Sequence, residues 1–194
     1  MGEPITAVIL AGGESKRMGR DKANLPLRGG TTFLQRTAAL AAEACDSVIV
    51  VGRDRPSDWP FAHTSFVPDD MPGLGPAGGI ATALRHTPDS ILAIACDMPA
   101  LTAEALCWLR DAAAAYRFAP GVIGVRDDDV EPLFGIYRQS CLRPLELRLQ
   151  AGRRSLQGLI AALPFALVEI PAIHRPALRL SLIHISEPTR RRGI

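Results

Sequence analysis

Short apolar runs rich in β-branched residues alternate along most of the chain with longer Ala/Leu-rich stretches whose apolar positions recur at helical spacing. Runs at 6–10, 47–51, 63–67, 91–95, 122–125, 133–137 and 166–170 predict strands, and 31–44, 77–86, 102–115, 139–151 and 154–163 predict helices. Runs such as "ILAIA" are apolar at consecutive positions, so both faces of the strand must be covered. The pattern predicts a largely parallel sheet between layers of helices. In such sheets ligands sit outside the carboxyl ends of the strands.

Composition narrows the function classes. A chain of 194 residues, 47% of them hydrophobic, can bury one good core. No run approaches the ~18 consecutive apolar residues of a membrane helix. The N-terminus lacks the order of basic, apolar and small residues that marks a secretory leader, so a cytoplasmic protein without a membrane anchor is expected. Cys45, Cys96, Cys107 and Cys141 show no metal-type spacing and read as buried free thiols. The net charge of +2 hides an asymmetry: five arginines against one glutamate after His174 carry +4, which leaves the body at −2. A mildly acidic body with a basic tip argues against a nucleic-acid surface.

The first predicted strand runs directly into "LAGGESKRMGRDK". Gly12 and Gly13 lack side chains, so backbone N–H groups can turn toward an anion there, and Arg17 and Lys22 add full charges. A helix end alone offers about half an elementary charge, too little for a polyphosphate. The alternative is a solvated basic loop beside a glycine turn. Two other glycine patterns carry no such reading. "GLGPAG" from Gly73 follows "PDDMP" in place of a strand, and Pro76 fits the first turn of a helix. "GGESKRMG" lacks the terminal Gly-Lys-Ser/Thr of a Walker A loop.

The stretch "LAGGESKRMGRDKANL" resembles the signature of the molybdenum cofactor guanylyltransferases, the MobA-type nucleotidyltransferases: Leu-Ala-Gly-Gly, then Ser-x-Arg-Met-Gly, then Asp-Lys. "GPAGGI" from Gly75, "ACDMPAL" from Ala95, and "EPLFGIYRQSCLRPL" running into "AGRRSL" agree with the same family, in its order, from residue 5 to about 160. Related cytidylyltransferases tend to carry Leu-Ala-Ala-Gly, so Gly12 and Gly13 favour the guanylyl branch.

The resemblance implies a three-layer α/β/α Rossmann-like nucleotidyltransferase fold in one domain over 1–176, with a nucleotide-binding half of about 1–100 and an acceptor-binding half of about 101–176. It implies transfer of GMP from GTP to molybdopterin-bound molybdenum, with release of pyrophosphate. Leu10, Ala11, Gly12, Gly13, Arg17, Lys22, Asp69, Gly78 and Asp97 are then the expected nucleotide-binding residues, with Arg17, Lys22 and Asp97 catalytic and Asp97 the ligand of Mg²⁺. Proteins that deliver molybdopterin or mature molybdoenzymes are the implied protein partners. Asp97 directly follows an apolar strand, which suits a metal carboxylate at the sheet's edge, but it also suits a turn or N-cap before the helix at 102. Asp69 has turn formation as its rival, since Asp-Asp-Met-Pro-Gly is plain loop chemistry. A nucleotidyltransferase that uses CTP or a sugar-phosphate acceptor, and a non-catalytic nucleotide-binding protein, are the alternatives to guanylyl transfer.

Three features depart from the family's pattern. Where it has an Asn-Ala-Asn-Arg type run after the second strand, this chain reads "VIVVGRD", and the Val51 side chain cannot hydrogen-bond a base or ribose. Asp127, Asp128 and Asp129 form an acidic run expected at a hairpin tip. The family's closing Asn-rich segment is replaced by "RLSLIHISEPTRRRGI", with no asparagine after Leu25. Residues 177–194 are therefore expected to be foreign sequence, resembling a translated sequencing adapter, or else a basic tail that orders on an anionic partner.

Overall fold

The structure is a computed structural model that describes residues 3–12 and 30–178. Gly13, Arg17 and Lys22 of the expected site, and residues 179–194, lie outside the described residues. Seven strands form one sheet: β1 Ile5–Leu10, β2 Ser47–Val51, β3 Thr64–Val67, β4 Ser90–Ala95, β5 Gly121–Arg126, β6 Asp129–Tyr137 and β7 Ala166–Glu169. Their spatial order is β3-β2-β1-β4-β6-β5-β7. Every pairing is parallel except those of β6 with β4 and β5.

Helices α1 Phe33–Ala44 and α3 Ala103–Ala113 cover one face, sharing a core with Ala7, Ile9, Leu92, Ile94 and Ile136. On the other face α2 Gly75–His86, α4 Leu142–Gln150 and α5 Leu156–Ala162 pack on Val8, Ile49, Ile91 and Ala93. β4, buried at all six positions, shows why consecutive apolar residues marked these strands: it has helices on both sides. Local chemistry sets the helix starts. Thr32 and Gln35 form a reciprocal capping box on α1, and the Thr102 hydroxyl accepts from the Ala105 N–H at the start of α3. Pro76 stands in the first turn of α2, as the sequence predicts.

Two expectations need correction. β6 starts at Asp129 and not at 133, because the β5–β6 turn is tight, with positive φ at Asp127 and Asp128. Asp129 therefore belongs to the strand. Pro132, which cannot donate to a ladder, lies where the β5–β6 register jumps from Ile123–Gly135 to Gly124–Glu131, and the buried Tyr137 hydroxyl donates to its carbonyl at 2.7 Å. The second correction concerns the end of the packed chain. Ala177 and Leu178 are buried in the first core, in the short helical turn Arg175–Leu178, so packed structure runs two residues beyond the expected boundary at 176.

Candidate active site

The chain passes from β1 outward through β2 to β3, then returns across β1 to β4 on its other side. The carboxyl ends of β1 and β4 thus flank the point where the winding reverses, the position at which open α/β sheets bind ligands. Register makes the placement concrete. Val67 pairs with Val51, Val51 with Leu10, and Leu10 with Ala95, so these four residues form a row across the sheet. Asp69, Gly12 and Asp97 each stand two residues beyond that row, and Gly52 stands one beyond it. Neighbouring strands are about 4.8 Å apart, so the strands leading to Gly12 and Asp97 are adjacent while those leading to Asp69 and Asp97 are separated by about 14 Å. Leu10, Ala11, Gly12, Asp69 and Asp97 are all brought to this edge.

Asp97 is half-buried in a turn between β4 and the buried Met98. It is not the N-cap of α3, a role filled by Thr102. Its loop is held by Arg36 of α1, which donates to the carbonyls of Leu101 at 2.8 Å and Met98 at 3.5 Å. Arg36 was not singled out by sequence, and an arginine inside a helix offers no local sign that it will brace a distant loop.

On the β1 side the Ala11 N–H donates to the Val51 carbonyl at 3.1 Å, so that donor is used by the sheet. The Ala11 carbonyl accepts from Arg53 Nε at 3.0 Å. Gly52 donates its N–H to the Val67 carbonyl at 2.9 Å, and its φ of +86° favours glycine. A Cβ at Gly52 would meet Gly12 Cα at 2.8 Å, so the two backbones touch. The motif reading missed Gly52 and Arg53. The only signal for them was the departure "VVGR" from the family's asparagine-bearing run.

Asp69 is used locally. Its Oδ1 accepts from the Met71 N–H at 3.0 Å and from the buried Thr82 hydroxyl of α2 at 3.1 Å, while Thr82 also accepts from the Asp70 N–H. This is the turn chemistry weighed as its rival, extended into an anchor on the helix. Gly78 is buried, and a Cβ there would fall 2.9 Å from the Met71 carbonyl. Its missing side chain lets that same loop lie on α2.

Of the expected free thiols, Cys45 and Cys141 are buried, with burial as the main cause pushing each thiol up to about 12. Cys96 and Cys107 are half-buried, short of the full burial expected. Among the described residues no group of three His, Cys, Asp or Glu side chains could enclose a metal ion. A single carboxylate at a substrate-binding edge still fits a hard divalent cation that takes one or two carboxylates and completes its shell with phosphate oxygens and water. Among the described residues Asp97 is the carboxylate at the winding reversal with that character. Among the described residues no helix is long and apolar enough to cross a membrane.

An open α/β/α sheet that brings Gly12 and the Asp97 carboxylate to adjacent strands at the reversal has the build of a nucleotide-binding α/β protein. The comparisons specify which kind. The profile of the MobA-like NTP transferase domain matches residues 7–167. A probable molybdenum cofactor guanylyltransferase of Opitutus terrae is 37% identical over 163 residues, covering 82% of this chain and 79% of that protein. The crystal structure of molybdopterin-guanine dinucleotide biosynthesis protein A from Archaeoglobus fulgidus superposes with a TM-score of 0.71 at 24% identity, over 87% of this chain and 85% of that one. A Mycobacterium tuberculosis protein solved as a manganese complex superposes with a TM-score of 0.60 at 20% identity, over 88% and 89% of the two chains. The chain belongs to the MobA-like NTP transferase family, and it is an enzyme of the nucleotidyltransferase type.

Proposed function

We propose that the protein transfers GMP from GTP to molybdopterin-bound molybdenum, giving the guanine dinucleotide form of the cofactor and pyrophosphate. The observation that carries this reading is the register row: it sets Gly12 and Asp97 on adjacent strands at the winding reversal. Relatives named as molybdenum cofactor guanylyltransferases, 34–37% identical, support the choice of substrates.

In the reaction an oxygen of the acceptor's terminal phosphate attacks the α-phosphorus of GTP. The bond from that phosphorus to the α–β bridging oxygen breaks, and the electron pair leaves with pyrophosphate. Both reactants are anions, so the protein must bring them together and stabilise charge on the leaving group. The amides of Gly12 and Gly13 and the side chains of Arg17 and Lys22 hold the triphosphate. Asp97 would hold a divalent cation such as Mg²⁺, which would supply positive charge against the phosphate oxygens and the leaving pyrophosphate. The manganese complex of the mycobacterial neighbour is in keeping with a divalent ion. Any contact of Asp69 with the nucleotide falls to Oδ2, since Oδ1 serves the turn. Four free cysteines suit a reducing compartment, and we take the enzyme to act in the cytoplasm, receiving its acceptor from a molybdopterin-delivering protein.

A related transferase that takes CTP or a sugar-phosphate acceptor is the second reading, favoured by Val51, whose side chain is apolar and whose carbonyl is already bonded to Ala11. Thermal unfolding with GTP, CTP, ATP and UTP, each with Mg²⁺, separates the two. GTP is expected to be preferred over CTP at least about tenfold, or ~1.4 kcal/mol. Equal stabilisation by CTP would move the protein to the second reading.

A further inference from the structure

We infer that Gly52 and Arg53 set up the Gly12 amide as the first anion donor of the site; this rests on the reading of Ala11 and Gly12 as the opening of the phosphate loop. The carbonyl of Ala11 and the N–H of Gly12 belong to one peptide group. Arg53 Nε donates to that carbonyl at 3.0 Å, which fixes the plane of the peptide. A charged donor at the oxygen draws electron density through the amide, so the N–H at its other end becomes a stronger donor.

Gly52 acts on the same N–H from the side. A Cβ at position 52 would lie 3.0 Å from Gly12 N and 2.8 Å from Gly12 Cα, covering the amide. The left-handed φ of +86° would strain any such side chain as well. The 52 segment has no easy retreat, because its neighbours are fixed by the bonds from Ala11 N–H to Val51 and from Gly52 N–H to Val67, at 3.1 and 2.9 Å. The side chain that a base-reading residue would supply is absent here, and what the two positions serve is a backbone donor. The chemistry they favour is therefore phosphate, and not one base over another. Both are positioning residues.

The test is calorimetric titration of wild type, Gly52→Ala, Arg53→Gln and Arg53→Lys with GTP, CTP and inorganic tripolyphosphate, each with Mg²⁺, alongside thermal unfolding. Gly52→Ala and Arg53→Gln are expected to weaken GTP and tripolyphosphate alike, about tenfold, with the GTP-to-CTP ratio unchanged. Arg53→Lys, which keeps a charged donor, is expected to restore most of the affinity. Arg53→Gln is expected to melt within about 2 °C of wild type, which separates positioning from folding even where Gly52→Ala folds poorly. Wild-type affinity of Arg53→Gln for tripolyphosphate, or a loss confined to GTP, would overturn the inference. A wild type that binds tripolyphosphate without preferring GTP would overturn guanylyl transfer alone, whereas one that binds neither would overturn both.

Discussion

The two flanks of the sheet use arginine differently. At the carboxyl edge of β1 to β4, Arg36 and Arg53 donate to backbone carbonyls of Met98, Leu101 and Ala11. On the β5-β6-β7 flank the arginines meet carboxylates: Arg126 with Glu131 at 2.6 Å, Arg138 with Glu3 at 2.9 Å, and Arg175 with Asp127 and Glu169 at 2.8 and 2.7 Å. The carbonyl bonds brace the loops at the carboxyl edge of the sheet, and the ion pairs tie together the elements of the other flank.

The sharpest way to break this contrast is at Asp97. Asp97→Asn preserves size and fold while removing the carboxylate, and metal-dependent transfer is expected to fall about a thousandfold, ~4 kcal/mol in the barrier. Normal turnover by this variant would remove the metal assignment. On the scaffold side the largest effect belongs to Arg138, which is 8% exposed and also donates to the carbonyls of Ala113, Tyr116 and Ala119. Arg138→Met removes all of these bonds, leaving Glu3 with only the Ser90 hydroxyl and the Tyr116 carbonyl with only the Ala119 N–H, at about 3–5 kcal/mol and a melting temperature roughly 10 °C lower. GTP affinity of the folded protein is expected to be unchanged, and a selective loss of affinity would blur the division between the flanks.

Lys22→Ala and Arg17→Ala are each expected to weaken GTP about tenfold in titration calorimetry, with little change in melting. Unchanged affinity in both would make these charges solvent-facing. Thr82→Val, which strips the hydroxyl shared by Asp69 and Asp70, is expected to cost about 1–3 kcal/mol of stability with a smaller effect on GTP. Such a result would mark the Asp69 loop as architecture first.

The mildest effect concerns acid. Burial pushes Glu3 up, but hydrogen bonds from Arg138 and Ser90 and the Arg138 charge outweigh it, holding the carboxyl below its ordinary 4.5. A lowered folded value gives stability that is present above the ordinary value and lost as pH falls through the folded one. Unfolding followed from about pH 6 to 3 is therefore expected to show a gentler acid slope in Glu3→Gln than in wild type, and equal slopes would remove Glu3 from the account.

Much of the architecture was legible in the chain because it is local. Strands 47–51 and 91–95 announce themselves by continuous β-branched or apolar residues, α1 by its spacing and its Thr32 cap, and Pro76 marks the start of α2. The motif residues Gly12, Asp69 and Asp97 were also legible, since each stands directly after a readable strand. Tertiary structure decided what no local pattern encodes. Sheet order and register put Gly12 and Asp97 on neighbouring strands. Contacts across 42 and 65 positions of sequence gave Arg53 and Arg36 their carbonyls, and the approach of two backbones made Gly52 necessary. Apolar periodicity and capping act over a few residues and leave a mark in sequence. A hydrogen bond between remote segments exists only once the sheet has brought them together, so its partners look ordinary until the chain has folded.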